Sequence, residues 1–202
     1  MNQQDTGFLE LFIGPMFSGK TSKLLEIYKQ SIFCNIPIIV INHSADKRYH
    51  QTNLSTHDKI MIPCVQTNNL MEIWDYGIID EPLDEELYNS HVKFREAKVV
   101  LINEGQFFED LLPCTQELLK EKKHIYVCGL DGDFERKKFG TILDLIPLCD
   151  KVTKMTSLCG KCKNGTLAIF SLRITKEKVQ FLVGSDNYIP VCRKCYEEEE
   201  EE

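Results

Sequence analysis

The residues best suited to chemistry begin at position 14. Gly14-Pro15-Met16-Phe17-Ser18-Gly19-Lys20-Thr21 satisfies the pattern Gly-x-x-x-x-Gly-Lys-Ser/Thr at every fixed position. Glycines let such a loop curl until its N–H groups point inward at phosphate oxygens. Lys20 adds positive charge over the outer phosphates, and the Thr21 hydroxyl suits a Mg²⁺ ion. A glycine turn that matches by chance is the alternative. An apolar strand-like run stands directly before the loop and a helical pattern directly after it, the order a nucleotide-binding loop requires.

Phosphoryl transfer usually also needs a carboxylate at the tip of a neighbouring strand, acting on the metal or the nucleophile. Ile78-Ile79-Asp80-Glu81 has the acids but only a short apolar run before Pro82. Val99-Val100-Leu101-Ile102-Asn103-Glu104-Gly105-Gln106-Phe107-Phe108 has a full buried-strand run, then one acid, then glycine. The second is the better candidate, with Glu104 as general base for an attacking hydroxyl. Taken alone, Glu104 also fits a helix start or a surface position.

Cys159-Gly160-Lys161-Cys162 and Cys192-Arg193-Lys194-Cys195 are two Cys-x-x-Cys units. Two such knuckles complete a tetrahedral Zn²⁺ site with no position left for water, so the metal would hold structure rather than catalyse. The stretch between them is longer than in the shortest zinc patterns, and four unligated thiols or a redox pair are alternatives. Cys34, Cys64, Cys114, Cys128 and Cys149 stand singly and read as reduced, small hydrophobes. A reducing cytoplasm suits both groups.

The elements that must position these residues alternate. Phe8–Ile13 reads as a strand, and Lys20–Phe33 as a helix with apolar residues near a 3.6 period. Pro37–Ile41, Val99–Ile102 and His124–Cys128 read as buried parallel strands, and Leu111–Lys122 as a helix with Pro113 in its first turn. Strands alternating with helices imply an α/β fold, a parallel phosphate-loop sheet flanked by helices. The pattern changes after about Lys151, giving a nucleotide-binding domain over 1–150 and a small cysteine-bearing domain over 151–196. The acidic run 197–202 reads as a solvated, disordered tail.

The 202 residues suffice for a real core, and the net charge of −7 argues against a nucleic-acid partner. No stretch is apolar for long enough to span a bilayer, and no signal-peptide order opens the chain, so no membrane partner is expected.

Together with Thr56-His57-Asp58, Leu130-Asp131-Gly132-Asp133-Phe134, Phe139-Gly140, Gly184-x-Asp186-x-Tyr188 and Cys195-Tyr196, these blocks keep one order from about Phe8 to Tyr196. In that order they resemble the type II thymidine kinases of animal cytosol, many bacteria and large DNA viruses. The resemblance implies an ATP:thymidine 5′-phosphotransferase whose zinc-binding lasso domain closes over the nucleoside. Gly14, Pro15, Met16, Phe17, Ser18, Gly19, Lys20 and Thr21, with Asp58, Asn103 and Gln106, would contact ATP; Thr21 and Asp58 would hold Mg²⁺. Glu104 matches the catalytic base. Phe134 and Phe139 match aromatics lining the thymine pocket, although on sequence alone both read as core. Met16 would approach the base's methyl group. Val179, Gln180, Phe181, Leu182, Val183 and Tyr188 match positions touching thymine, largely through main chain. A homotetramer with feedback inhibition by dTTP is also implied.

Two departures stand out. The family normally has Asp where this chain has Asn103, which leaves Asp58 and Thr21 to hold the metal. Residues from about Asn68 to Arg95 exceed the pattern and read as an acidic surface insertion containing Asp80 and Glu81. Other readings are a kinase for another deoxynucleoside, or a regulatory nucleotide-binding protein in which Asn103 records lost catalysis. A zinc-dependent nucleic-acid module fits the acid balance poorly.

Overall fold

The computed structural model describes residues 6–45, 53–55, 61–76, 84–177, 179–180 and 187–200. Six strands form one sheet in the order β5-β2-β6-β7-β1-β8, with every pairing parallel. They are β1 (Phe8–Ile13), β2 (Ile38–His43), β5 (Val65–Thr67), β6 (Val99–Asn103), β7 (His124–Gly129) and β8 (Lys151–Lys154). The short β3 (Asn53–Ser55) and β4 (Met61–Pro63) pair with each other.

Why the strands read as unbroken apolar runs is visible in where successive side chains go. Leu9, Leu11, Ile13, Ile39, Ile41, Val100, Ile102, Ile125 and Val127 enter one core. Their neighbours Phe12, Val40, Val99, Leu101, Tyr126 and Cys128 enter a second core on the opposite face. A parallel sheet covered on both faces needs apolar residues at both phases of the period-two pattern. Helix α1 (Lys20–Phe33) covers the second face through Leu24 and Leu25. Helix α4 (Leu111–Lys120) covers the first through Leu111, Cys114 and Leu118. It stops short of the expected Lys122 because Lys122 turns left-handed at φ 57. Lys122 N–H then donates to Leu119 O and Lys123 N–H to Leu118 O, satisfying carbonyls that the helix would leave open.

The expectation of a surface insertion over 68–95 is corrected at both flanks. Asn69 caps α2 (Leu70–Asp75) by accepting from Glu72 N–H, and Asp84 caps α3 (Glu85–Glu96) by accepting from Leu87 N–H. Leu70, Ile73, Trp74 and Phe94 are buried in the first core, and the Trp74 and Phe94 rings meet edge to face at 5.1 Å. Arg95 lies 4.0 Å above the Trp74 ring, and Lys123 donates to the carbonyls of Arg95 and Ala97. The acids sit on the outer faces of helices that the core requires. Asp80 and Glu81 lie outside the described residues.

Beyond β8 the chain forms two antiparallel pairs, β9 (Ser157–Leu158) with β10 (Leu167–Ala168) and β11 (Phe170–Arg173) with β12 (Tyr188–Val191). Helix α5 (Arg193–Glu200) follows, so the acidic run is helical as far as Glu200. A third apolar cluster, built on Ala168, Leu172, Val191 and Tyr196, surrounds the cysteine pairs. Among the described residues no helix is long and apolar enough to cross a membrane.

Candidate active site and metal centre

In an open parallel sheet, ligands bind outside the carboxyl ends of the strands. Gly14 leaves β1 at φ 149, and a Cβ there would stand 2.3 Å from Met155 O. Gly19 (φ 81) opens α1 with no side-chain cap, so the helix's positive end faces the loop uncapped by any side chain. Ser18 Oγ donates to Pro15 O at 2.8 Å. Lys20 is buried, and its ammonium donates to Gly14 O at 3.1 Å, Pro15 O at 2.6 Å and Ser18 Oγ at 3.3 Å. Phe17 holds a left-handed φ of 61 at the crest. Met16 N–H donates to Ser171 Oγ at 2.9 Å, which ties the loop to β11.

Asn103 closes β6 and is 1% exposed. Its register partner on β2 is Asn42, whose Oδ1 accepts from Asn103 Nδ2 at 2.7 Å. Asn103 Oδ1 accepts the Cys128 thiol at 2.9 Å and sits 3.5 Å from Thr21 Oγ1. The phosphate-loop helix and the β6 tip therefore meet. The next residue, Glu104, is half-buried in a left-handed conformation (φ 54, ψ 43) that a non-glycine residue adopts only under surrounding constraint. Gln106 supplies part of it. Buried, it donates from Nε2 to Glu104 Oε2 at 2.7 Å and accepts Leu130 N–H on Oε1 at 3.0 Å.

A cavity of about 120 Å³ opens beside the loop, lined by Pro15, Asp131, Asp133, Arg136, Lys154 and Ser171 among others. Phe134, next in the chain after the lining residue Asp133, has its ring against the Arg173 guanidinium, 3.8 Å away. Phe139 packs edge to face on Phe107 at 5.4 Å, in the turn that follows Glu104. Val179 and Gln180 come to the Phe134 side, where Gln180 Nε2 donates to Asp133 Oδ2 at 2.8 Å, and Tyr188 opens β12 beside Arg173. Asp58, Phe181, Leu182 and Val183 lie outside the described residues. Asn42, Ser171 and Arg173 carried no sequence signal. Each acts through a contact made far along the chain, such as the 155 positions separating Met16 from Ser171.

The sulfurs of Cys159, Cys162, Cys192 and Cys195 all lie within 4.8 Å of one another, with Cys162 to Cys192 at 3.8 Å and Cys162 to Cys195 at 3.3 Å. A tetrahedral zinc with bonds near 2.3 Å needs sulfurs about 3.8 Å apart, so the four residues fit that ion. Burial raises the Cys159 thiol, but N–H groups of Cys162, Cys192 and Lys161 outweigh it and bring the pKa down to about 6. Main-chain donors favour the thiolate at Cys159, whereas hydrogen bonding to Cys162, with burial, pushes the Cys195 thiol up to about 12.

The family model described as thymidine kinase matches residues 7–196. The chain is 36% identical over 193 residues to a thymidine kinase of Sheeppox virus (strain KS-1), covering 95% of this chain and 98% of the relative. It is 36% identical over 191 residues to one of Variola virus (isolate Human/India/Ind3/1967), covering 94% and 97%. To thymidine kinase a of Arabidopsis thaliana it is 36% identical over 198 residues, covering 97% and 77%.

Proposed function

The chain belongs to the thymidine kinase family, and we propose that it transfers the γ-phosphoryl group of ATP to the 5′-hydroxyl of thymidine with Glu104 as base. The observation that carries this reading is the meeting of the phosphate-loop helix and the β6 tip, Thr21 Oγ1 to Asn103 Oδ1 at 3.5 Å. It supports a reading in which the phosphate cradle lies near Glu104, the residue after Asn103, whose carboxylate accepts Gln106 Nε2.

In this reading the loop amides, the α1 N-terminus and Lys20 take up negative charge on the phosphates. Glu104 takes the proton from the 5′-hydroxyl as oxygen attacks phosphorus and the bond to the ADP oxygen breaks. Met16, Phe134, Phe139, Val179, Gln180 and Tyr188 hold the base, so that the hydroxyl reaches phosphorus in line. Thr21 offers an oxygen donor of the hard kind Mg²⁺ takes, with Asp58 proposed beside it; the ion, when bound, neutralises phosphate charge. The cysteine site is proposed to hold Zn²⁺ as a brace for β9 to β12. Cytoplasmic location, a homotetramer and feedback inhibition by dTTP are further proposals that rest on family likeness.

A nucleoside panel with ATP and Mg²⁺ tests the reading. Thymidine should be phosphorylated in preference to the other deoxynucleosides; nucleotide binding without any transfer would refute it.

A further inference from the structure

Arg173, at the end of β11, has no part in the chemistry above, yet it is only 7% exposed. Arginine is seldom buried so deeply unless its donors are taken up. Its guanidinium carries five N–H donors in one rigid plane; the four on Nη1 and Nη2 find acceptors, while the buried Nε finds none among the described residues. Nη1 donates to the main-chain carbonyls of Glu177, at 2.9 Å, and Val179. Nη2 donates to Gln180 O, at 3.1 Å, and to the Tyr188 hydroxyl. The plane also lies 3.8 Å from the centre of the Phe134 ring and 5.1 Å from that of Tyr188.

These contacts have a common address. Phe134, the adjacent Val179 and Gln180, and Tyr188 come from three separate stretches of chain, and Arg173 touches all four residues. Residues 174–177 and 179–180 belong to no helix or strand, so no ladder sets their path. Carbonyls converging on one cation set it instead. Because a peptide is planar and trans, turning Val179 O toward Arg173 directs the N–H of Gln180 the opposite way. Main-chain recognition of a base depends on that orientation.

We propose that Arg173 is the positioning residue of the nucleoside pocket, fixing the Phe134 face and the main chain of Glu177, Val179 and Gln180 relative to each other. The proposal rests on Phe134, Val179, Gln180 and Tyr188 being the base-binding residues. Lysine would keep the charge but has neither the fork that reaches several carbonyls nor a plane to lie on Phe134.

Full-length Arg173→Lys and Arg173→Ala are compared with the parent protein by initial rates, varying thymidine and ATP separately. Melting temperature and zinc content are read alongside. In Arg173→Ala the KM for thymidine should rise about tenfold to a hundredfold, the size of one or two hydrogen bonds from a charged donor. Arg173→Lys should fall between alanine and the parent. The KM for ATP, kcat at saturating thymidine and zinc content should hold. An unchanged thymidine KM overturns the proposal, as does a rise in both KM values with loss of zinc, which would mark a merely structural role. If the alanine variant does not fold, Tyr188→Phe combined with Arg173→Lys replaces it. Less than multiplicative effects on thymidine KM then support shared positioning, and fully multiplicative ones overturn it. A parent protein that phosphorylates no nucleoside refutes the kinase reading itself and takes the proposal with it.

Discussion

Replacing Gly140 with alanine tests what holds Glu104 in place. Gly140 has φ +60, and a Cβ there would stand 1.9 Å from the Gln106 carbonyl oxygen, 2.8 Å from its carbon and 3.0 Å from its Cα. Ordinary carbon–oxygen contacts begin near 3.3 Å, so one of the two segments must move by more than about 1 Å. The atoms struck are main chain and cannot rotate aside. Gln106 belongs to the single turn Gly105–Phe107, which starts from Glu104, and Phe139 clamps that turn through Phe107. Displacement therefore passes to Glu104. A left-handed alanine costs ~1–2 kcal/mol and overpacking ~1–3 kcal/mol, together ~2–5 kcal/mol. At about 2–4 °C per kcal/mol for a chain of this size, the melting temperature should fall by roughly 4–20 °C. A shift of about 1 Å at a catalytic group costs on the order of 10²-fold in rate. Gly165→Ala is the control: φ is +90 and nothing lies within 4 Å, so it carries backbone strain without the collision. Thermal melts and initial rates at saturating ATP and thymidine should show a larger melting shift in Gly140→Ala, and a loss of kcat only there. Full kcat in a destabilised Gly140→Ala protein would refute the claim that this turn positions Glu104.

Glu104→Gln should keep binding of both substrates and lose ~10²–10⁴-fold in kcat, the usual worth of a general base; isothermal titration and turnover separate the two. Metal analysis should find about one zinc per chain, and losing any one of the four cysteines should raise the thymidine KM; active protein free of zinc would refute the site. Asn103→Asp should lower the Mg²⁺ concentration giving half-maximal rate, with Asn42 turning its own amide N–H₂ toward the new carboxylate. Identical magnesium titrations at fixed ATP would show that position 103 does not sense the ion's charge. Burial, with Lys98 and then Arg95 adding to it, lowers the Lys123 ammonium to about 8 from 10.5. Between those values the unfolded chain keeps a proton that the folded chain releases, so this group's contribution to stability rises with pH. Denaturant melts from pH 7 to 10.5 should show the parent gaining on Lys123→Met as pH rises; a constant difference would contradict the burial cost.

Much of the candidate site could be proposed from the sequence because its parts are local in it. The phosphate loop, the Asn103-Glu104 strand tip and the cysteine pairs are short, contiguous patterns whose chemistry depends on spacing. The strands were legible because both faces are covered, which leaves Val99–Ile102 apolar throughout. What failed was reading burial from composition. Leu70, Ile73, Trp74 and Phe94 are few among the acids of 68–95, yet they are the residues at the helical period that reach the core. Asn42 opposite Asn103, and Arg173 against Phe134, were invisible for another reason. Each pairing is set by sheet order or by the return of the chain over the loop, and one sequence carries no record of which strand lies next to which.

The edge strand β8 has a consequence for whether the two parts of the chain can be separated. β8 pairs with Glu10 to Ile13 of β1, Lys151 forms an ion pair with the buried Glu10 at 2.7 Å, and Met155 N–H donates to Ile13 O at 2.7 Å. A chain cut after Asp150 would keep every residue of the phosphate loop and lose the strand beside it. β1 would become an open edge, with unpaired main-chain donors and acceptors and a carboxylate without its cation. Such an edge invites pairing with other chains. The nucleotide-binding part therefore borrows its last strand from the segment that leads to the four cysteines, and excising it would yield an aggregating fragment rather than a smaller enzyme.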